Sequence, residues 1–418
     1  MLRRAGRSGE GIAGKMSQGS GQSSGRSRHS LLLPVYLPTF LLSLTEGLLL
    51  PILPFYALTF DVSYGMAALV IAAAGIGTMV ADVPAGLVLG RLGLKPTMII
   101  GASLVMVATF ALAFATFFPE LILYRFIAGV GTAMWGLSRH AFITESIDPR
   151  ERGRAISVFG GINRIGMFGG PAVGGLIGGV IGLSASFYVA GTLAAIGLII
   201  SIIYVRDTRV VLHSSRSVRW GLVWQLWQDK KGDLMAASVA QICGQMIRSG
   251  RQAIIPFYAA SVLGLNVTQV GAIQTASSLV DMALFIPAGY IMDRYGRKFT
   301  SVPSFALMGV GMALIPLTGG FLSLMAVAML IGVGNGLGSG AMMTLGADLA
   351  PRGATGEFLG VWRLVGDSGR ASGPVVVGGL TDSTGFSFTA IALGGIGVAA
   401  ALTLALLVKE TRAGPDSS

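Results

Sequence analysis

The sequence predicts an all-α membrane protein of about twelve transmembrane helices in two six-helix pseudo-symmetric halves. Three observations predict it. The chain is apolar and sparsely charged, its apolar runs are long enough to cross a bilayer, and its motifs recur at a near-constant offset.

Of 418 residues, 53% are hydrophobic and 12% charged, against roughly 25% charged in a soluble average. Mean hydropathy is +0.73. A soluble chain this apolar could not cover its own surface, so lipid is its natural solvent. The glycines show no strict period and sit inside apolar runs, where small residues let helices approach closely. The single Cys243 excludes a disulfide framework, and three histidines, His29 and His213 in polar stretches, give no metal cluster. No cofactor is implied.

A net charge of +11 invites a nucleic-acid reading, but its placement argues against one. The basic residues fall in the N-terminal tail, in alternate loops and at isolated positions inside apolar runs. That is the positive-inside pattern of a membrane protein.

Residues 1–30 are rich in Gly, Ser and Arg and read as a disordered cytoplasmic tail. Their Arg- and Ser-rich, acid-poor makeup is also that of a transit peptide, and Met16 is a second candidate start. Spans are predicted at 33–57, 66–90, 96–117, 120–143, 155–181, 184–205, 234–260, 268–292, 299–318, 321–347, 357–380 and 386–408. One set of loops holds Arg91 and Lys95; Arg150, Arg152 and Arg154; Arg206 to Lys231; Arg294, Arg297 and Lys298; Arg352; then Lys409 and Arg412. The other set holds no Lys or Arg, only Asp61, Glu120 and Asp382. Both termini are therefore expected in the cytoplasm of a cell-membrane protein. The expected organisation is a six-helix bundle at 31–205, a cytoplasmic linker at 206–233, a second bundle at 234–408 and a tail at 409–418.

The halves read as copies. Pro171 maps to Pro374, Gly86 to Gly289, Gly129 to Gly332, Gly131 to Gly334 and Glu145 to Asp348, all by a shift of 203 residues. Pro54 maps to Pro256 by 202. A parallel repeat of this kind places a substrate site near the midplane between halves.

After the eighth run the chain reads Gly289-Tyr-Ile-Met-Asp293-Arg294-Tyr-Gly296-Arg297-Lys298, which resembles the loop signature of the major facilitator superfamily. The first half carries a degraded copy at Gly86, Gly90, Arg91, Gly93 and Lys95, with Gly90 where the signature has Asp. The resemblance implies that these loops gate, with Asp293 latching one state and the first-half latch weakened. Arg125-Phe-Ile-Ala-Gly129-Val-Gly131 resembles the family's fourth-helix motif, whose buried Arg is linked to proton transfer. Gly166-Met-Phe-Gly169-Gly170-Pro171-Ala-Val-Gly174-Gly175 resembles the fifth-helix antiporter motif of the drug:proton families. Glu46 to Pro54 is similar to that group's first helix. The resemblance covers nearly all of 31–412 and implies a transporter, not an enzyme, whose spans 1, 2, 4, 5, 7, 8, 10 and 11 line a cavity. Gly332, Gly334, Gly336 and Gly338 superficially resemble a phosphate cradle, but no βαβ context or Walker A surrounds them. The Asn266-Val-Thr268 sequon lies too near a span to be a persuasive glycosylation site.

An ionised group at mid-span costs at least about 2.5–3.5 kcal/mol, so each such residue needs a reason. They form stripes at helical spacing: Thr39, Ser43 and Glu46; Thr78 and Asp82; Asn163 and Arg164; Gln241, Gln245, Arg248 and Gln252 with Arg251; Gln274, Ser278 and Asp281; Arg363, Asp367 and Arg370. Stripes facing inward would line an aqueous cavity. A buried structural ion pair is the competing reading, strongest for Asp82, Arg363 and Arg139. A carboxyl withdrawn from water binds and releases protons more readily near neutral pH. Glu46 and Asp281 are the proton-carrier candidates, with Asp82 and Arg125 as coupling partners. Asn163, Arg164, Gln245, Arg248, Arg251, Gln274, Asp367 and Arg370 are the substrate-binding candidates.

The function expected is proton-coupled antiport of small amphipathic molecules or drugs by a monomer that takes protons and cargo across the bilayer. Four intramembrane acids stand against six arginines (Arg125, Arg164, Arg248, Arg251, Arg363, Arg370). That excess supports an alternative, an organic-anion transporter in which Arg248, Arg251 or Arg370 clamps carboxylate or phosphate. A non-transporting receptor with a transporter fold is a third reading.

Overall fold

Inside lipid each backbone N–H and C=O must be satisfied within the segment, and apolar runs of this length do so as helices. A computed structural model describes residues 32–146, 152–205, 220–351 and 353–410, and no strand occurs among them. The tail 1–30, Arg150, residues 206–219, Arg352 and Arg412 lie outside the described residues.

The helices are α1 (Leu37–Leu58, entered by a π turn at Leu32–Tyr36), α2 (Tyr64–Leu92), α3 (Leu94–Leu112), α4 (Phe118–Ser146), α5 (Arg152–Val180) and α6 (Leu183–Tyr204). They continue as α7 (Trp220–Ser261), α8 (Val267–Tyr295), α9 (Lys298–Leu314), α10 (Phe321–Leu337), α11 (Ala341–Leu349) and α12 (Thr355–Leu407). Helix α7 begins at Trp220, inside the stretch expected to be linker. Helix α12 is divided by non-helical backbone at Gly385 (φ 84°, ψ 170°) into limbs that match the last two predicted spans.

Nine helices among the described residues are long and apolar enough to cross a bilayer. The count of twelve is not reached on that measure, for identifiable reasons. Asn163, Arg164 and the glycines dilute α5, glutamines and arginines dilute α7, and the two limbs of α12 run together. Large apolar side chains such as Val107, Phe114, Ile203, Leu322 and Leu406 are bare on the outside. A water-facing surface does not tolerate such a belt, whereas lipid does.

Packing repeats as the sequence does. Gly129 lies against Ala74 and Gly332 against Ser277, so α2–α4 and α8–α10 cross at equivalent points. Gly170 lies against Gly47, and Gly373 against Met246 and Gly250, making α1–α5 and α7–α12 a second equivalent pair. The turn glycines obey the same shift. Gly93 (φ 91°) donates to Leu89 O at 3.0 Å, and Gly296 (φ 115°) donates to Met292 O at 3.1 Å. Both adopt a left-handed backbone that an L side chain would strain, so glycine is required at each loop.

The halves meet chiefly along α2–α12 and α5–α8. The close approaches fall toward the end whose loops lack Lys and Arg. Gly175 faces Val267 O and Gly271, Thr268 Oγ1 donates to Gly175 O at 2.8 Å, and Gly378 faces Tyr64, Gly65 and Ala68. Asp382 accepts from the N–H groups of Tyr64 (2.9 Å) and Gly65 (2.8 Å), closing that end.

Candidate functional site

Helix α1 is enclosed on nearly all sides, which makes one position informative. Between Leu41 and Leu50 the single exposed residue is Glu46. A charged group that is open in an otherwise buried stretch of a membrane helix is expected to face an aqueous cavity rather than lipid. Thr132 on α4 lies 3.3 Å from Glu46 Oε1, and Arg125 and Arg139 are both within its electrostatic reach. Arg139 stacks over Phe159 with 4.0 Å to the ring centroid. The Nε atoms of Arg125 and Arg139 are buried without hydrogen-bond partners among the described residues. On the same side Asn163 of α5 donates to Ser43 of α1 at 2.6 Å, tying two of the polar stripes together.

The second centre lies across the interface. Arg164 of α5 reaches Asp281 of α8 at 3.4 Å, a side-chain ion pair between the halves. Arg164 also donates to Ser339 and lies over Phe285, 4.3 Å from its centroid. Asn335 of α10 donates to the other Asp281 oxygen at 2.7 Å. Arg248 and Arg251 of α7 both feel the Asp281 charge without touching it. Arg248 donates to Gly338 O at 2.9 Å, and Arg251 lies 3.5 Å from Ser277 Oγ. Gln274 is half-buried with Oε1 unpartnered among the described residues, and Gln245 is half-buried on the α7 stripe.

A third group lies on α2 and α12. Arg363 bridges Asp82 (3.5 Å) and Asp367 (3.6 Å), again joining the halves. Arg370 is exposed and within reach of Asp82, but no ion pair of Arg370 forms among the described residues. Asp367 is therefore paired with one of the two arginines flanking it in sequence.

The glycine motif of α5 divides by face. Gly166, Gly170 and Gly174 pack on α1 within their own half, while Gly175 and the Pro171 carbonyl meet α8 of the other half. In the second-half loop, Arg297 pairs with Asp348 at 2.8 Å and with the exposed Asp293 at 3.6 Å. Glu410 accepts from the N–H groups of Arg297 (2.8 Å) and Lys298 (3.0 Å), capping α9, and Arg294 donates to Tyr290. Gly289 lies within α8, one helical turn before Asp293. In the first half, Gly90 and Leu94 occupy the positions of Asp293 and Arg297, Gly86 touches Leu137, and Arg91 is exposed. The first-half loop thus lacks both members of the latch pair.

Thr132, Asn335, Ser339 and Phe285 were not singled out by sequence. A signal for two of them existed, since Thr132 and Asn335 are related by the 203-residue shift and each holds a proton-carrier candidate.

The chain matches the family described as Major Facilitator Superfamily over residues 35–247 and again over 237–418. An uncharacterised MFS-type transporter of Methanocaldococcus jannaschii is 23% identical over 366 residues, spanning 85% of this chain and 94% of the relative. Quinolone resistance protein NorA of Staphylococcus aureus is 27% identical over 175 residues, 42% of this chain and 45% of NorA. Among solved structures, the nucleoside transporter NupG superposes with a TM-score of 0.75 at 17% identity, covering 91% of this chain and all of NupG (100%). A D-xylose-proton symporter superposes with a TM-score of 0.73 at 17% identity, covering 92% of this chain and 99% of the symporter. These two structures share the fold.

Proposed function

The chain belongs to the Major Facilitator Superfamily, and from that premise we propose that this multi-pass membrane transporter is a proton-coupled antiporter exporting small amphipathic molecules or drugs by alternating access. The observation that carries the reading is the Arg164–Asp281 ion pair between the halves. A proton on Asp281 removes the charge that holds Arg164, so proton binding changes the energy of one arrangement of the halves relative to the other. Glu46, exposed and within the field of Arg125, is the second site where a proton entering from outside acts.

The Lys/Arg-poor loops are external and both termini cytoplasmic in this reading, in a cell membrane. The end closed by Asp382 and Gly175 is then the outer one, so the arrangement faces the cytoplasm, where an exporter loads cargo. The bundles are 31–205 and 234–408, joined through 206–233, and the protein works as a monomer. The α5 glycine motif and the partial similarity to NorA support export and drug-like cargo.

The test is the purified full chain in proteoliposomes with an imposed pH gradient and an internal pH dye. Cargo-dependent proton movement is expected in the native protein and lost in Glu46→Gln and Asp281→Asn. Undiminished coupling in both variants rejects the assignment.

A further inference from the structure

A guanidinium inside a membrane protein is stable only with counter-charge or dense hydrogen bonding. Some of the ionised groups here satisfy that rule. Asp281 is matched by Arg164 and Asn335, and Asp82 and Asp367 by Arg363. Arg125, Arg139 and Arg370 form no ion pair among the described residues, and neither do Arg248 and Arg251. Arg248 and Arg251 stand three residues apart on one face of α7. Arg248 has one carbonyl partner, Gly338, and a ring partner, Phe305, at 5.4 Å, and its Nε is buried without a hydrogen bond among the described residues. Arg251 has the Ser277 hydroxyl at the 3.5 Å limit of a hydrogen bond. Neither forms an ion pair among the described residues, and each lies in the field of the Asp281 carboxylate and, more weakly, of the Arg164 guanidinium.

We propose that Arg248 and Arg251 form an anion subsite, which holds a carboxylate, phosphate or sulfonate group of the amphipathic cargo. The proposal deepens the transport reading above and rests on it. Two guanidinium forks three residues apart supply the paired donors that a planar or tetrahedral oxyanion accepts. The anion supplies in direct contact the counter-charge that Asp281 supplies only at a distance, so cargo binding and the relief of mutual repulsion between the arginines are one event. A cation in the same place would meet two guanidiniums with no ion-pair partner among the described residues, so selectivity follows from the same pair.

The linkage sign separates this inference from the antiport reading. Antiport requires that cargo binding weaken on acidification, because proton and cargo compete. Cotransport requires that it strengthen.

The experiment uses the detergent-purified full chain and two probes of the same ring and opposite charge, 2-naphthoate and 2-naphthylmethylammonium, with affinity measured by calorimetry at several pH values. The native protein is expected to bind 2-naphthoate and not the ammonium probe. Arg248→Gln and Arg251→Gln are each expected to weaken 2-naphthoate about tenfold to a hundredfold, the loss of one charge-assisted contact. Arg251→Lys, which keeps charge and loses the fork, falls between. Should one Gln variant fail to fold, the other and the native charge preference carry the test. Preference for the ammonium probe, binding of neither, or unchanged affinity in the folded Gln variants overturns the subsite. Binding of 2-naphthoate that tightens at low pH leaves the subsite standing and overturns antiport.

Discussion

Asp382 and Gly65 meet across the two halves, with the Asp382 carboxylate 2.8 Å from the Gly65 N–H at the start of α2. The neighbouring Tyr64 N–H completes the cap at 2.9 Å. An anion at a helix N-terminus gains from both the free N–H groups and the helix dipole. The repeat-related contact, Gly179 against Thr268, carries no charge. One ionic latch therefore holds this end, on one side of the pseudo-symmetry axis.

Asp382→Ala is expected to shift the resting population toward opening at this end. Spin labels at the exposed positions Ile181 and Leu317, one in each half, report it. The distance distribution should broaden to longer values, with helix content unchanged. A distribution identical to that of the labelled parent protein would reject the latch.

The glycines of α5 predict two distinct phenotypes from one kind of substitution. A Cβ at Gly175 would lie 2.8 Å from Val267 O and 3.0 Å from Gly271 Cα, both in the other half. Gly175→Val should keep the fold and bias the halves apart at the Lys/Arg-poor end. Gly129, by contrast, packs against Ala74 within its own half. Gly129→Val should destabilise the bundle itself, by about 1–3 kcal/mol, as overpacking does. Thermal unfolding in detergent and the Ile181–Leu317 distance together separate the two. Equal loss of melting temperature in both would remove the distinction.

The fold was legible because lipid imposes a coarse rule, a long apolar run per helix, and because the 203-residue shift repeats in turns such as Gly93 and Gly296 as well as in motifs. The polar stripes told which residues share a helix face. They did not tell which faces meet, because that depends on helix rotation and tilt. Arg164 and Asp281 are 117 residues apart and nothing local joins them. Asn335 was hidden among the α10 glycines, and Asp382 looked like an ordinary loop acid until α12 was seen beside α2. The stripe put Asp367 between Arg363 and Arg370 without telling which one pairs with it, and it is Arg363 that takes the carboxylate.

Glu46→Gln tests the first-half centre on its own. Gln keeps the size and a hydrogen bond to Thr132 while removing the charge that Arg125 and Arg139 face. Proton-driven transport in proteoliposomes should be lost, while cargo-for-cargo exchange, which needs no proton, should persist. Retained proton-driven accumulation would move the coupling role away from Glu46.

The ion pair between Arg164 and Asp281 makes the most direct test of how charge links the halves. Either single change, Arg164→Gln or Asp281→Asn, leaves a partner without its charge in a partly buried place, with 28% and 15% side-chain exposure. The two single variants are therefore each expected to cost stability of the arrangement closed at the Lys/Arg-poor end. The double variant removes both charges and should cost less than their sum. A coupling of about 0.5–3 kcal/mol is expected for residues in contact. Asn335 and Ser339 remain to satisfy the new amides, so the double variant stays folded. The Ile181–Leu317 distance gives the population for each corner of the cycle. Additive effects would mean that the pair does not link the halves energetically, and the proton on Asp281 would then have no lever on their movement.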